Sequence, residues 1–582
     1  MNATLTTPAA TTINLDLAIT EALERIPPLW PLEHFVAVNP FMGFAKRPFA
    51  DACATLRRTL GKAPVQSAEE YLGAWKSGHI TPADLASAAD AEWPPQRLLG
   101  IISHPDDAPL CHPVASFADL LDETLPHAHW SDFIAEEIAK WCAVHFDRNQ
   151  TTWVSPWSRM SLFAAWKSAA VHDGKPETFG LVGFRAFVRS MPDSPRDVIH
   201  HCFGVLDPQN VEPADFLHRQ LANVAGWAGH ARYLVREDAM RGQENTTLLE
   251  LLSIRLAYDA ALQRAFARDP QIAAAWRDQA AKSERADVYE ALARWQLAYE
   301  AGYQRKLAFD LAAQQAHPSA DRPRVQAVFC IDVRSEIVRR HLEAALPGAR
   351  TLGFAGFFGF PVAHQPAHTC QPAARCPALL VPPVASREPR PANAARLRSE
   401  RGAWKAFQNS AASCFTFVES LGLAFSGSLL KTRRKAADTP SPAPEFENLS
   451  AVDRASLAEG ALRGMGLTEN FARIVVICGH GSHSANNPYA SSLDCGACGG
   501  HGGDVNARLA ASTLNDPEIR SILADRGIPI PEDTQFIAAR HDTLSDDFRL
   551  YENEAVPASH HAELAELDAA LQQAGAAARR ER

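Results

Sequence analysis

Two short apolar runs constrain this chain more than anything else in it. The first, Val325-Gln-Ala-Val-Phe-Cys-Ile-Asp-Val-Arg-Ser335, delivers a thiol, a carboxylate and a guanidinium at alternate positions, Cys330, Asp332 and Arg334. Side chains repeat every two residues along a strand, so Cys330 and Asp332 are expected on one face and Ile331 on the other. Far downstream, Ile474-Val-Val-Ile477 runs straight into Cys478-Gly-His480-Gly-Ser-His483, followed by Cys495-Gly-Ala-Cys498-Gly-Gly-His501. Two strand ends that each carry soft or imidazole ligands predict one metal ion between them.

Around these runs the pattern alternates between strand and helix. Val325 to Ile331 reads as a strand, and Ser335 to Leu346 as the helix after it, with Ser335 as a natural N-cap. A helix from Leu449 to Gly464, the strand Ile474–Ile477, a helix from Asp504 to Leu514 and a strand from Thr534 to Ala539 follow. Such alternation predicts an α/β sheet covered by helices, with chemistry at the strand ends. Upstream, Asp132–Phe146, Phe216–Ala228, Thr246–Arg268 and Arg285–Gln315 carry apolar residues at three- and four-residue spacing and read as helices. The expected organisation is an extended aromatic and proline-rich segment over 1–65, a mainly helical region over 66–320, and an α/β metal-site domain over 321–545. Loop insertions are expected near 364–400 and 431–447, and a helical tail over 546–582. The apolar stretch Leu352–Ala363 suits either core or interface, with core favoured.

Composition excludes several classes. A chain of 582 residues with 46% hydrophobic and 21% charged residues is neither disordered nor fibrous. The net charge of -10 argues against a nucleic-acid binder. The N-terminus lacks a basic region followed by an apolar one, so the chain is expected to be cytoplasmic, and no stretch approaches the roughly 20 apolar residues of a membrane helix. Eleven cysteines without small-domain spacing favour buried thiols and metal ligands over disulfides.

Cys330, Asp332, Cys478, His480, His483, Cys495, Cys498 and His501 are too many candidates for one tetrahedral zinc. Cys495 and Cys498 have the spacing of a structural zinc knuckle, for which Cys478 with His480 or His483 could supply the other half. Against a purely structural ion stands the carboxylate: Cys330-x-Asp332-x-Arg334 is the arrangement of β-type carbonic anhydrases, in which the arginine pairs with the aspartate. Asp332 would then either occupy the open zinc position or swing to Arg334 and leave that position to water. The plain alternative for the trio is a buried Cys330, with Asp332 capping the helix that begins near Ser335. The glycines around Cys498 lack the lysine of a phosphate-binding loop.

The segments Trp30-Pro-Leu-Glu-His34-Phe-Val-Ala-Val-Asn39-Pro, Val328-Phe-Cys330-Ile-Asp332-Val-Arg334-Ser-Glu336, Gly353–Gly359 and Cys478-Gly-His480-Gly-Ser through Cys495-Gly-Ala-Cys498 together resemble the DabA family over nearly the whole chain. DabA is the soluble subunit of a two-component inorganic carbon transporter. The resemblance implies a β-carbonic-anhydrase-like sheet core covered by helices, with zinc held by Cys330, Asp332, His480 and Cys495. It also implies catalytic roles for Asp332 and Arg334, and places His483, Cys498 and His501 around the ligands. The implied activity is one-way hydration of carbon dioxide to bicarbonate, driven by a cation gradient. The implied partner is the integral membrane subunit DabB, similar to antiporter-like subunits of respiratory complex I, with this chain peripheral on the cytoplasmic side of the inner membrane. A stand-alone carbonic-anhydrase-like lyase is the competing expectation. Family members usually extend further beyond Arg540–Thr543, so part of a docking surface is expected to be missing or dispensable.

Overall fold

The computed structural model describes residues 14–582 apart from 32–37, 62–63, 104–113, 126, 148–154, 209–210, 279–285, 314–321, 333, 368–371, 378–379, 391–393, 411–412, 432–441, 483–494, 496–497, 499 and 553–554. The chain divides into two compact units, Met1–Trp30 with Val38–His317, and Pro318–Arg582 with Pro31–Ala37. No described helix is long and apolar enough to cross a membrane.

Every regular element among the described residues of the first unit is a helix. Its centre is the helix Thr247–Phe266, buried from Leu248 almost without a break to Leu262, because apolar residues surround it on every side. Phe184 stacks on Tyr258 within that core, and Trp166 packs tilted against the same tyrosine. Among the polar groups that enter this core, buried Asp259 accepts from Arg255, Gln220 and the backbone N–H groups of Phe117 and Ala118, which caps the helix Phe117–Thr124 from across the core. The helix expected over 132–146 spans Trp130–His145, and that expected over 285–315 spans Ala286–Ala313. The single helix expected over 216–228 is two, Pro213–Ala222 and Ala225–Met240, broken at Asn223, whose amide is engaged by Ser116 and Asp119. The segment expected to be extended over 1–65 carries two helices, Leu15–Glu24 and Phe49–Leu60, on either side of the prolines that suggested extension.

The second unit contains nine described strands: β1 (Val325–Cys330), β2 (Ala349–Phe354), β3 (Val362–Gln365), β4 (Ala373–Arg375), β5 (Val384–Arg387), β6 (Glu445–Phe446), β7 (Ile474–Gly481), β8 (Gln535–Asp542) and β9 (Phe548–Leu550). Five form a sheet in the order β2-β1-β7-β8-β9, parallel except for the antiparallel edge strand β9. Both faces are covered, as a parallel sheet requires. Val325, Ala327, Phe329, Ile474, Val476 and Cys478 pack with helices Ser335–Ala345 and His561–Glu581. Val328, Val475 and Ile477 pack on the other face with helices Ala451–Met465 and Asp504–Asn515. The C-terminal helix is thus part of the core, with Leu567, Leu571, Ala574 and Ala578 buried. After β1 the chain winds to β2 on one side, then returns to β7 on the other, so the strand order reverses between β1 and β7. Ligands of such sheets bind outside the carboxyl ends of the strands at that reversal.

The stretch expected as loop over 364–400 instead yields β4, β5 and the second half of β3, which join β6 in a second sheet of order β4-β3-β5-β6. Within the other expected insertion, 431–447, residues 432–441 lie outside the description and Glu445–Phe446 forms β6. The second sheet packs on helix Asp504–Asn515 through Val362, Val505 and Leu509, and the buried Asn506 side chain donates to the carbonyls of Phe360 and Arg375. Phe358, Phe360 and Val362 are fully buried, which places the Leu352–Ala363 stretch in the core.

Candidate metal centre

Strand β1 ends at Cys330, and β7 carries His480 to its own end. Both residues therefore stand at the strand reversal, and both are buried. The loop after β7 returns Cys495 and Cys498 to the same point. The Cys498 N–H donates to the Cys495 carbonyl at 3.0 Å, the Gly500 N–H donates to the same oxygen at 3.1 Å, and the Gly503 N–H donates to the His480 carbonyl at 2.8 Å. The donor atoms of Cys330, His480, Cys495 and Cys498 consequently lie within 4.8 Å of one another. Cys498 is buried and Cys495 half-buried.

Glycines make room for this convergence. A Cβ on Gly356, in the turn after β2, would lie 2.5 Å from Cys330 Sγ and 2.8 Å from Cys498 Sγ. The Gly356 N–H also donates to the Cys498 sulfur. A Cβ on Gly479 would meet Gly503 at 2.4 Å, and one on Gly503 would meet the Gly356 carbonyl at 2.6 Å. Backbone can approach sulfur and backbone this closely only without side chains.

The three sulfurs share protons unevenly. Hydrogen bonds from Cys330 and then from Cys498 draw the Cys495 thiol down, while its bond to Cys495 pushes Cys330 up. Cys498 is pulled down by Cys330 but raised further by Cys495 and by burial. One thiolate is thus easy to form and further ones are opposed by like charge, the situation a cation relieves. His480 Nε2 accepts from the Cys495 N–H at 3.0 Å, and its Nδ1 is buried without a hydrogen-bond partner among the described residues. An enclosed set of three thiols and an imidazole within reach of one point fits a soft or borderline metal ion.

The structure brings together Cys330, His480 and Cys495 from the expected ligand set and adds Cys498, expected only as a neighbour. Asp332 lies outside the cluster. Strand β1 ends two residues before it, so alternation no longer governs its direction, and its Oδ1 accepts from the N–H groups of Arg334 at 2.8 Å and Ser335 at 3.0 Å. Ser335 is the first residue of the helix Ser335–Ala345 and Arg334 holds the N-cap position, while the Asp332 carboxylate, two residues further out, satisfies the first N–H groups. Arg334 is half-buried nearby, and the charges of both Asp332 and Arg334 act on His541 of β8. Cys478 points to the opposite face, among Phe329 and Ala539. His501 is half-buried in the turn after Cys498, and His483 lies outside the described residues.

Two features had no sequence forecast. Gly356 was visible only as one glycine in an apolar run. Beside His480, in register on β8, stands His541, whose Nε2 lies 2.9 Å from Oδ1 of Asp546, both fully buried, with Arg582 paired to the same aspartate. Burial pushes His541 down to about 4.

Comparison with known proteins follows the same outline. A family model described as probable inorganic carbon transporter subunit DabA matches residues 19–582. A protein of that name from Chloroflexus aurantiacus is 38% identical over 98% of this chain and 74% of its own length. Relatives with the same name from a Roseiflexus species and from Rhodopseudomonas palustris are 39% and 40% identical, covering 97% and 99% of this chain and 73% and 74% of their own lengths. No solved structure matches the chain.

Proposed function

This chain belongs to the DabA family of probable inorganic carbon transporter subunits, and from that premise we propose that it hydrates carbon dioxide to bicarbonate in one direction as the metal-bearing subunit of such a transporter. The cluster of Cys330, His480, Cys495 and Cys498 at the strand reversal carries this reading. Zinc is the ion we assign, because three thiols and an imidazole suit its tetrahedral preference. When bound, zinc supplies a Lewis acid that makes water a nucleophile at neutral pH.

The chain's own residues set when that chemistry is available. Cys330, His480 and Cys495 are the constant ligands of the reading, and the fourth is either Cys498, as the sulfurs stand, or Asp332. To become a ligand, Asp332 must give up the backbone N–H groups of Arg334 and Ser335. Hydrogen bonds to a charged group are worth about 1.5–3 kcal/mol each, so the exchange costs about 3–6 kcal/mol. An elementary charge crossing a membrane potential releases about 2.3 kcal/mol per 100 mV, so about two to three charges crossing 100 mV offset that cost. Arg334 follows Asp332 closely enough to hold the carboxylate when it is not a ligand, and these two are the proposed catalytic pair.

A free carbonic anhydrase only equilibrates its substrates, whereas transport needs coupling. The relatives are named as subunits, and no described helix of this chain crosses a membrane. Its proposed partner is therefore an integral membrane subunit, DabB, resembling the antiporter-like subunits of complex I, with this chain on the cytoplasmic side of the inner membrane. The test is growth in ambient air of cells lacking carbonic anhydrase. Rescue by this chain together with the membrane subunit, and by neither alone, is the expected result. Rescue by this chain alone makes it a stand-alone lyase and removes the coupled reading.

A further inference from the structure

The helices Ala394–Asn409 and Cys414–Lys431 form a hairpin whose chemistry the metal centre does not use. The two helices hold each other through an aromatic knot: the Phe417 ring lies 5.7 Å from Trp404 and 5.6 Å from Phe407. The Ser413 hydroxyl, donating to the Phe407 carbonyl, ties the turn. Outside this knot the hairpin displays large apolar side chains to solvent: Phe415 is 77%, Val418 65% and Leu423 89% exposed. At 100° per residue these three fall within about 140° of one another around their helix, on a single face. Isolated exposed apolar residues need no explanation, but a row of them on one helix face does.

Charge identifies what covers the row. The first helix carries Arg396, Arg398, Arg401 and Lys405 against Glu400 alone, in a chain whose net charge is -10. Arg396 is strongly exposed while paired with Glu400, and Lys405 is exposed as well. A basic helix beside an exposed apolar face is the pattern that lies in the interface of an anionic bilayer. The second helix has 18 residues and does not meet the demands of a span, so it would lie along the surface. We propose that this hairpin docks the protein on the headgroup region of an anionic lipid leaflet, with Phe415, Val418 and Leu423 inserted and the exposed Arg396 and Lys405 at the phosphates. Glu419 sits within the apolar arc and opposes this binding. The inference rests on surface chemistry and is independent of the metal-site reading.

Co-sedimentation of the full chain with vesicles tests it. The expected result is binding to phosphatidylethanolamine–phosphatidylglycerol vesicles that weakens with added salt, and little binding to phosphatidylcholine alone. Phe415→Ser, Val418→Ser and Leu423→Ser combined should weaken it at least about tenfold. Glu419→Lys should strengthen it. All four positions are solvent-facing, so an unchanged circular dichroism spectrum and metal content identify folded variants. Absence of binding to the anionic vesicles, or undiminished binding by the triple variant, overturns the proposal. So does a triple variant that loses self-association in gel filtration while the parent ignores vesicles, since a second copy would then be the occupant.

Discussion

Replacing Gly356 with alanine tests the geometry of the metal centre at its tightest point. The added Cβ would stand 2.5 Å from Cys330 Sγ, 2.8 Å from Cys498 Sγ and 3.1 Å from Cys330 Cβ. Ordinary carbon contacts need about 3.5–4.0 Å, so two sulfurs or the whole turn must retreat by roughly 1 Å. Gly356 has no left-handed backbone angle, so the effect is steric and not conformational. Overpacking of this kind costs about 1–3 kcal/mol. If the turn moves, the cost appears as lost stability; if the sulfurs move, it appears in metal affinity, where each 1.4 kcal/mol is about tenfold. Gly356→Ala is therefore expected to lower the urea midpoint of the metal-free protein, or to weaken metal binding in a chelator competition by about ten- to hundredfold. Gly460, inside the helix Ala451–Met465 with nothing within 4 Å of a Cβ, is the control. Its replacement by alanine should stabilise by up to about 1 kcal/mol. A Gly356→Ala protein with unchanged stability and unchanged metal affinity would refute the packing of this turn against the sulfurs.

Other outcomes follow from the same geometry. Cys498→Ser is expected to reduce metal content measured by mass spectrometry, while Asp332→Asn keeps the metal and loses carbon uptake; full metal content in Cys498→Ser would leave Asp332 as the fourth ligand. His218 is buried, and burial with the positive Arg25, Arg47 and Arg219 outweighs Asp215 and holds it down to about 4. Between the unfolded value near 6.5 and about 4, the unfolded chain binds a proton that the folded chain refuses. The stability is fully present above pH 6.5 and falls as pH drops, by up to about 1.4 kcal/mol per unit. His218→Gln should flatten that slope, read as about one proton fewer taken up on unfolding. Asp259→Ala strands Arg255, Gln220 and two backbone N–H groups in the core. A loss of about 3–5 kcal/mol is expected in the unfolding of the helical unit, with metal content unchanged.

Local rules carried the sequence a long way. Apolar runs with β-branched residues marked the starts of β1, β7 and β8 within a residue, since strand propensity and burial act together there, while β7 and β8 run three to four residues past their expected ends. Three- and four-residue spacing marked the long helices for the same reason. Cys330 and His480 announced themselves by standing at the ends of predicted strands, where parallel sheets place their ligands. The resemblance that named Cys495 rested on a motif, and the loop returns that residue beside Cys330 and His480.

Tertiary structure decided the rest. Alternation predicts a shared face only while the strand lasts, and β1 stops at Cys330; the carboxylate of Asp332 then answered the unsatisfied N–H groups of a helix start. Cys498 became a donor because the turn from Cys495 closes through backbone hydrogen bonds onto a strand end more than a dozen residues away. The short strands β3 to β6 are too brief to register as patterns and exist through pairing with one another and packing on helix Asp504–Asn515. Gly356 carries no side chain, so only its neighbours reveal what it does. Sequence alone thus determined the long elements and the thiol and imidazole residues at their ends, because those follow from local periodicity. Which donors meet was settled by contacts between distant segments, which periodicity does not encode.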